Sequence, residues 1–142
     1  MDQFKLLENG MLIGPQPSEG DLRQARQEGI KTVIDLRLPS EMATPNAELV
    51  ARSGLDYVNI PVNKASLSSD QVDALDRAMQ KKERPFLIHC ATGARAALLL
   101  VLSQARQNGW TAQRTFQEAR AMGFDLENAP EFADFIKATA GG

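Results

Sequence analysis

The stretch RPFLIHCATGARAALLLVLSQARQNG, residues 84–109, joins an apolar run of β-strand length to a longer apolar run with helical character. The only cysteine of the chain, Cys90, and its only histidine, His89, lie side by side at the junction, and Gly93 and Arg95 follow. We predict a buried strand, a short loop and a buried helix in that order. Two alternatives remain for Cys90: a nucleophile in an anion-binding loop, or a small residue of the core.

The segments around this stretch predict the rest of an α/β fold. Apolar and β-branched stretches of strand length alternate with stretches of helical length, and turn residues separate them. We predict a hairpin over 6–14, core strands within 30–36, 55–62 and 84–89, and helices within 15–29, 44–54, 68–82, 94–109, 111–123 and 129–140. This alternation predicts a single domain over 1–142, with a mostly parallel central sheet flanked by helices on both faces.

Local signals support the first two of these elements. The dipeptide Asn9-Gly10 lies between two short apolar runs, which is typical of a β-hairpin turn. Ser18 is a good helix N-cap and Asp21 lies three residues later, as in a capping box, while Gly29 ends the helical pattern.

The overall composition predicts a soluble cytoplasmic domain. The chain has 142 residues, of which 43% are hydrophobic and 24% charged, and its net charge of −2 does not favour a nucleic-acid partner. The N-terminal segment lacks the basic start and apolar core of a signal peptide. The apolar run from Ala96 to Leu102 is far shorter than the ~20 residues of a membrane span, so we expect no membrane association. A lone cysteine cannot form an internal disulfide and suits a reducing compartment.

The position of Cys90 gives it a possible chemical role. It follows a predicted strand, at the sheet edge where open α/β sheets bind ligands. The turn that follows can direct backbone N–H groups at an anion, and the helix N-terminus favours negative charge, including a thiolate. Gly93 permits the close backbone approach, and Arg95 offers a bidentate fork for a tetrahedral oxyanion. The predicted anion cradle consists of the backbone amides of Ala91, Thr92, Gly93, Ala94 and Arg95.

Three further residues are candidates for a supporting role. The side chain of His89 points away from that of Cys90 in a regular strand, so we expect it to orient the loop rather than act on substrate. Arg37 and Glu41 follow the first predicted core strand, on the same sheet edge as Cys90. They could brace the loop or contact substrate, or form only a surface ion pair or a turn-stabilising pair. One cysteine and one histidine cannot supply a zinc site, and we predict no metal and no cofactor.

The motif HCATGAR resembles the signature loop of cysteine-dependent phosphatases. Together with IGPQPSEGDLRQARQEGIKTVIDLRLPSE and LDYVNIPV, in that order along the chain, it is similar to the beta-lactamase-hydrolase-like phosphatase family. This family is a bacterial branch related to dual-specificity phosphatases. The resemblance covers nearly the whole chain. It implies a cysteine-phosphatase-like fold with Cys90 as nucleophile, Arg95 as oxyanion binder and a phosphorylated substrate or other small oxyanion as partner.

Three departures from ordinary tyrosine and dual-specificity phosphatases affect the predicted mechanism. Four residues separate Cys90 from Arg95, one fewer than in those enzymes. This shorter spacing occurs in the bacterial branch, and it also resembles the loop of rhodanese-type sulfurtransferases. Ala96 stands where those phosphatases usually carry a serine or threonine. The loop after the Ile-Pro-Val segment contains Asn63 and Lys64 instead of a general-acid aspartate, and Asp70 and Asp73 occur only further along. A phosphatase without a proton donor loses a factor of roughly 10²–10⁴ in rate on substrates with poor leaving groups.

Three functions therefore remain open from the sequence. The first is a phosphatase that forms a phosphocysteine intermediate on Cys90. The second is a sulfurtransferase that carries a persulfide on Cys90, which needs neither a general acid nor a hydroxyl after the arginine. The third is a phosphate-binding module with little turnover.

Overall fold

A five-stranded sheet forms the centre of the protein, and the computed structural model describes residues 2–42 and 46–140. Within these residues the strands are β1 (Lys5–Leu6), β2 (Leu12–Gly14), β3 (Thr32–Asp35), β4 (Asp56–Asn59) and β5 (Phe86–His89), in the spatial order β1-β2-β5-β3-β4. β1 and β2 pair antiparallel around Asn9 and Gly10, which confirms the predicted hairpin. All other strand pairs are parallel.

The described helices alternate with the strands along the chain. They are α1 (Glu19–Gln27), α2 (Asn46–Arg52), α3 (Ser69–Lys81), α4 (Ala94–Asn108), α5 (Ala112–Ala121) and α6 (Pro130–Thr139), with short 3-10 turns at Pro39–Glu41 and Leu126–Asn128. α1 starts with the predicted capping box of Ser18 and Asp21, and Gly29 after it has a positive φ of 100°. The start predicted for the second helix at Thr44 and Pro45 lies outside the described residues.

Apolar side chains cover both faces of the sheet. On one face, α1 and α2 bury residues such as Leu22 and Val50 against Val33 and Leu87 of the sheet. On the other face, α3 to α6 form a larger core together with Ile34 and Ile88. The apolar run of α4 from Ala96 to Leu102 is buried, as its sequence predicts, while Ala94 and Arg95 before it are half-buried. The fold is therefore the expected α/β architecture, in which helices cover both faces of one central sheet. None of the described helices is both long and apolar enough to cross a membrane.

The prediction of β4 as a core strand is wrong. It is an edge strand, because only β3 pairs with it. Asp56 is exposed, and the residues from Tyr57 to Asn59 are half-buried. Its apolar residues resemble those of a central strand, but its position in the sheet depends on long-range pairing.

The carboxyl ends of the three parallel neighbours β2, β5 and β3 lie at one edge of the sheet. Gly14, His89 and Asp35 are aligned there by the strand register. Cys90 follows directly after this row, so the topology brings the segments after these strands together around it.

Candidate active site

Cys90 lies in a tight loop between β5 and α4. The backbone N–H of Gly93 donates a hydrogen bond of 3.0 Å to Sγ of Cys90, so at least one loop amide points at the sulfur. The loop is also tied to the end of β2, because the N–H of Cys90 donates to the Gly14 carbonyl and the N–H of Gln16 donates to the Ala91 carbonyl. The Cys90 side chain is buried, while Ala91 and Thr92 beside it are exposed.

Gly93 is the residue on which the shape of this loop depends. Its φ is +102°, in the region that favours glycine. A Cβ at this position would lie 2.7 Å from Cζ of Phe124 and 3.2 Å from the Gly14 carbonyl carbon. The positive φ and the close packing therefore both require glycine at this position. The same loop conformation directs the Gly93 amide at the sulfur.

Arg95, in the first turn of α4, is held from two sides. Its Nη1 and Nη2 atoms each donate a 2.7 Å hydrogen bond to the Glu41 carboxylate, and Nη1 also donates to the Val62 carbonyl at 2.8 Å. These hydrogen bonds hold the pKa of Glu41 below its usual range. In turn, the Glu41 carboxylate raises the pKa of Arg95, and the nearby Cys90 acts in the same direction. The guanidinium is thus fixed as a cation close to the thiol.

A buried polar network lies next to the loop. Asp35 accepts hydrogen bonds from the backbone N–H, Nε and Nη2 of Arg37, each at 3.0 Å. It also accepts from Nδ2 of Asn46 and from the Tyr57 hydroxyl. Burial favours the protonated form of Asp35, but the Arg37 hydrogen bonds outweigh it and lower the pKa of this carboxyl. Burial beside the Asp35 carboxylate also raises the pKa of Tyr57, so this residue donates as a neutral phenol.

His89 connects this network to the cysteine. Its Nδ1 lies 3.2 Å from the Cys90 carbonyl oxygen, and its Nε2 lies 3.3 Å from Nδ2 of Asn46. Burial lowers the pKa of His89 to about 4, so the ring is neutral near pH 7. Since a carbonyl can only accept, the proton lies on Nδ1, and Nε2 accepts from Asn46. The ring orients the backbone of Cys90 and is fully buried.

The two candidates that follow β3 have different surroundings. Arg37 is buried against Asp35, so its ion pair does not lie at the surface and its side chain is not accessible to a substrate. Glu41 pairs with Arg95 rather than Arg37, and its carboxylate also accepts the Leu38 N–H within the 3-10 turn. The sequence does not identify Asp35, Asn46 and Tyr57 as parts of the network. The only signal is the Asp-Leu-Arg motif at the end of β3.

A cleft of about 420 Å³ opens beside the loop. Four segments line it: the 3-10 turn after β3, the loop after β4, the Cys90 loop with the start of α4, and the start of α6. The lining residues are Leu38, Glu41, Asn63, Lys64, Ala91, Thr92, Ala94, Arg95, Ala129, Glu131 and Phe132. Within residues 2–42 and 46–140, no cluster of side chains is suited to hold a metal ion.

A mostly parallel sheet covered on both faces, with a cysteine loop and an arginine at a helix N-terminus, defines a phosphatase-like α/β domain. The sequence model of the family "Beta-lactamase hydrolase-like protein, phosphatase-like domain" matches residues 3–107. The chain belongs to this family.

Relatives and solved structures agree with this assignment. A beta-lactamase hydrolase-like protein from Xylella fastidiosa is 31% identical over 84% of the chain, but the match covers only 29% of that protein. The chain therefore spans under a third of this curated relative. The structure of a candidate phosphatase from Neisseria meningitidis is 28% identical, with a TM-score of 0.78 over 96% of this chain and 99% of that one.

A more distant structure shares the fold alone. The core catalytic domain of the PP-IP phosphatase SIW14 from S. cerevisiae is 22% identical, with a TM-score of 0.73 over 95% of this chain and 83% of that one. The predicted cysteine-phosphatase-like fold is confirmed by these comparisons.

Proposed function

We propose that the protein is a cysteine-dependent phosphoric monoester hydrolase that acts through a phosphocysteine intermediate on Cys90. The observation that carries this proposal is the 3.0 Å hydrogen bond from the Gly93 amide to Sγ of Cys90. An amide donor at this distance holds the sulfur in place beneath the loop, and the fixed charge of Arg95 lies in the next turn.

The two chemical steps use the residues of the loop. In the first, Sγ of Cys90 attacks phosphorus, a P–S bond forms and the P–O bond to the leaving group breaks. The loop amides from Ala91 to Arg95 and the Arg95 guanidinium hold the three non-bridging oxygens as charge develops. In the second step, water attacks phosphorus, the P–S bond breaks, and inorganic phosphate leaves with the Cys90 thiolate restored.

The supporting residues would act by holding this geometry. His89 fixes the Cys90 carbonyl through Nδ1, and Asp35, Arg37 and Asn46 fix His89 and the end of β3. Glu41 keeps the Arg95 guanidinium oriented until an oxyanion binds. We further propose that the substrate is a phosphorylated small molecule or protein side chain and that the protein works in the cytoplasm, where a free thiol stays reduced.

A sulfurtransferase is the second candidate function. The observations that favour it are the short Cys90-to-Arg95 spacing and the buried methyl of Ala96, which offers no hydroxyl to a departing thiolate. In this alternative, the Cys90 thiolate attacks the outer sulfur of thiosulfate, the S–S bond of thiosulfate breaks and sulfite leaves. Cyanide then takes the outer sulfur of the Cys90 persulfide as thiocyanate, and the thiolate is restored.

One paired assay tests the proposal. Phosphate release from 4-nitrophenyl phosphate and thiocyanate formation from thiosulfate plus cyanide are measured side by side, for the wild type and for Cys90→Ser. Release of phosphate that is lost in Cys90→Ser supports the phosphatase. Cys90-dependent thiocyanate formation without phosphate release would replace it by the sulfurtransferase. Phosphate binding with neither reaction would leave only a binding module.

A further inference from the structure

The proposed phosphatase needs a proton donor for its leaving group. The loop after β4 supplies Asn63 and Lys64 to the cleft, and no aspartate. Among the cleft-lining residues that the structure describes, only Glu41 and Glu131 carry a carboxyl group. A donor must reach the leaving oxygen from within the cleft, so the choice lies between these two.

Glu41 is unsuited to donate a proton. Both of its carboxylate oxygens accept hydrogen bonds from the Arg95 guanidinium, and these hold its pKa below the ordinary value of a glutamic acid. An ionised carboxylate has no proton to donate, and here both of its oxygens already accept hydrogen bonds from a cation. Its geometry suits the positioning of Arg95.

Acidic and imidazole groups outside the cleft are also unsuited. The His89 ring is fully buried, and its Nδ1 proton is engaged with the Cys90 carbonyl. Asp73 lies on α3 and pairs with Arg106 of α4. Asp70 also lies on α3, and neither aspartate lines the cleft.

Glu131 has the position and the freedom that the role requires. It lies in the first turn of α6, directly after Pro130, and it lines the same cleft as Arg95 and the exposed residues of the Cys90 loop. Its side chain is exposed, and no ion pair or side-chain hydrogen bond engages its carboxyl within residues 2–42 and 46–140. The carboxyl can therefore rotate towards a bound substrate without breaking another contact.

We propose that Glu131 is the general acid of the reaction, an assignment that rests on the proposed phosphatase function. In the first step, the protonated Glu131 carboxyl gives its proton to the leaving oxygen as the P–O bond breaks and the P–S bond to Cys90 forms. The leaving group departs as a neutral alcohol or phenol. In the second step, the Glu131 carboxylate takes a proton from the attacking water as the P–S bond breaks, which restores both residues.

The experiment compares Glu131→Gln with Asp134→Asn, an exposed carboxylate on the same helix that does not line the cleft. Both variants and the wild type are assayed on phenyl phosphate and on 4-nitrophenyl phosphate. Phenol needs a proton to leave, whereas 4-nitrophenol leaves readily as its anion. We expect Glu131→Gln to lower kcat/KM for phenyl phosphate about 100-fold, with a much smaller loss on 4-nitrophenyl phosphate. Asp134→Asn leaves both values unchanged.

The dependence of kcat/KM on the acidity of the leaving phenol gives a second readout that a structural role would not move. Across a series of aryl phosphates, Glu131→Gln makes kcat/KM depend more steeply on that acidity than in the wild type, because the leaving group must then depart as its anion. Equal losses on both substrates, or no loss on phenyl phosphate, would overturn the assignment. If the wild type shows no Cys90-dependent phosphate release from 4-nitrophenyl phosphate, the proposed function itself fails, and the assignment falls with it. Thermal unfolding confirms that the variants are folded.

Discussion

The Asp35 carboxylate accepts two hydrogen bonds from the Arg37 guanidinium, both of 3.0 Å, and both side chains are buried. Asp35 is also the register partner of His89 on the neighbouring strand β5. The buried ion pair is therefore joined to the residue that precedes Cys90, so the stability of the fold and the geometry of the loop depend on the same contacts.

Removing the cation from this pair will destabilise the protein strongly. Arg37→Met leaves the buried Asp35 carboxylate without its main partner, and we expect a loss of about 3–5 kcal/mol in the free energy of unfolding. The matched control is Arg106→Met, which removes a half-exposed arginine paired with Asp73 and should cost less than about 1 kcal/mol. Urea denaturation measures both. Similar losses in the two variants would contradict the role of the buried pair.

The stability will also depend on pH through His89. Burial lowers the pKa of this ring to about 4, against an ordinary value of 6.5, so the unfolded state binds its proton more readily than the folded state. The contribution of His89 to the free energy of unfolding is therefore fully present above about pH 6.5. It falls by about 3 kcal/mol as the pH drops towards 4. The lowered pKa of Asp35 affects the free energy of unfolding only below the ordinary value of 3.8, which lies outside this pH window.

Urea unfolding of the wild type and of His89→Gln between pH 4.5 and 7 checks this expectation. The variant loses the hydrogen bond to Cys90 and is less stable at pH 7, but it lacks the titrating ring. Its stability should change much less over the same window. A variant with the same pH dependence as the wild type would assign the effect to other groups.

Replacement of Gly93 will separate backbone strain from steric overlap. Alanine at this position must adopt a φ near +102° and places its Cβ 2.7 Å from Phe124. Gly109 at the end of α4 also has a positive φ, of 66°, but no atom lies within 4 Å of its Cβ position. We expect Gly109→Ala to cost about 1–2 kcal/mol from backbone strain alone.

Gly93→Ala should cost more than Gly109→Ala and should also lower Cys90-dependent phosphate release, because the amide that faces Sγ shifts with the loop. Thermal unfolding and the phosphate assay give the two readouts. If Gly93→Ala is no less stable than Gly109→Ala and keeps full activity, the loop does not need the close packing described for it.

Elements with local signals could be predicted from the sequence, and elements fixed by distant contacts could not. The α1 cap formed by Ser18 and Asp21, the hairpin at Asn9 and Gly10, and the strand–loop–helix around Cys90 all depend on residues close together in sequence. The edge position of β4 depends on which strands pair, and its apolar residues do not specify this.

The candidate site shows the same division. Cys90 and Arg95 are visible because one short loop contains both. The burial of Arg37 could not be predicted from the sequence, because a charged residue in a loop is usually solvated. Its partner Asp35 is also bound by Asn46, which comes from another element. The sequence does not single out Glu131, because two helices separate it from Cys90 and only the packing of α6 brings it to the cleft.

A hydroxyl beside Arg95 will speed the second chemical step if Cys90 is the leaving group of that step. Ala96 lies in the first turn of α4 with its methyl fully buried, so the wild type has no side-chain donor there for a departing thiolate. A hydrogen bond to a charged group contributes about 1.5–3 kcal/mol, which corresponds to roughly tenfold or more in rate. We therefore expect Ala96→Ser to turn over 4-nitrophenyl phosphate faster than the wild type.

Rapid-quench experiments test the cause of this gain. The wild type should accumulate phosphocysteine, and Ala96→Ser should accumulate less, because the intermediate breaks down faster. Ala97→Ser is the matched control, since it adds the same hydroxyl to a fully buried alanine about 100° further round the helix and should leave the rate unimproved. If Ala96→Ser releases phosphate no faster and no phosphocysteine is trapped in either protein, the phosphocysteine mechanism is wrong. A gain in mass of one sulfur atom on Cys90 after thiosulfate treatment would then favour the sulfurtransferase.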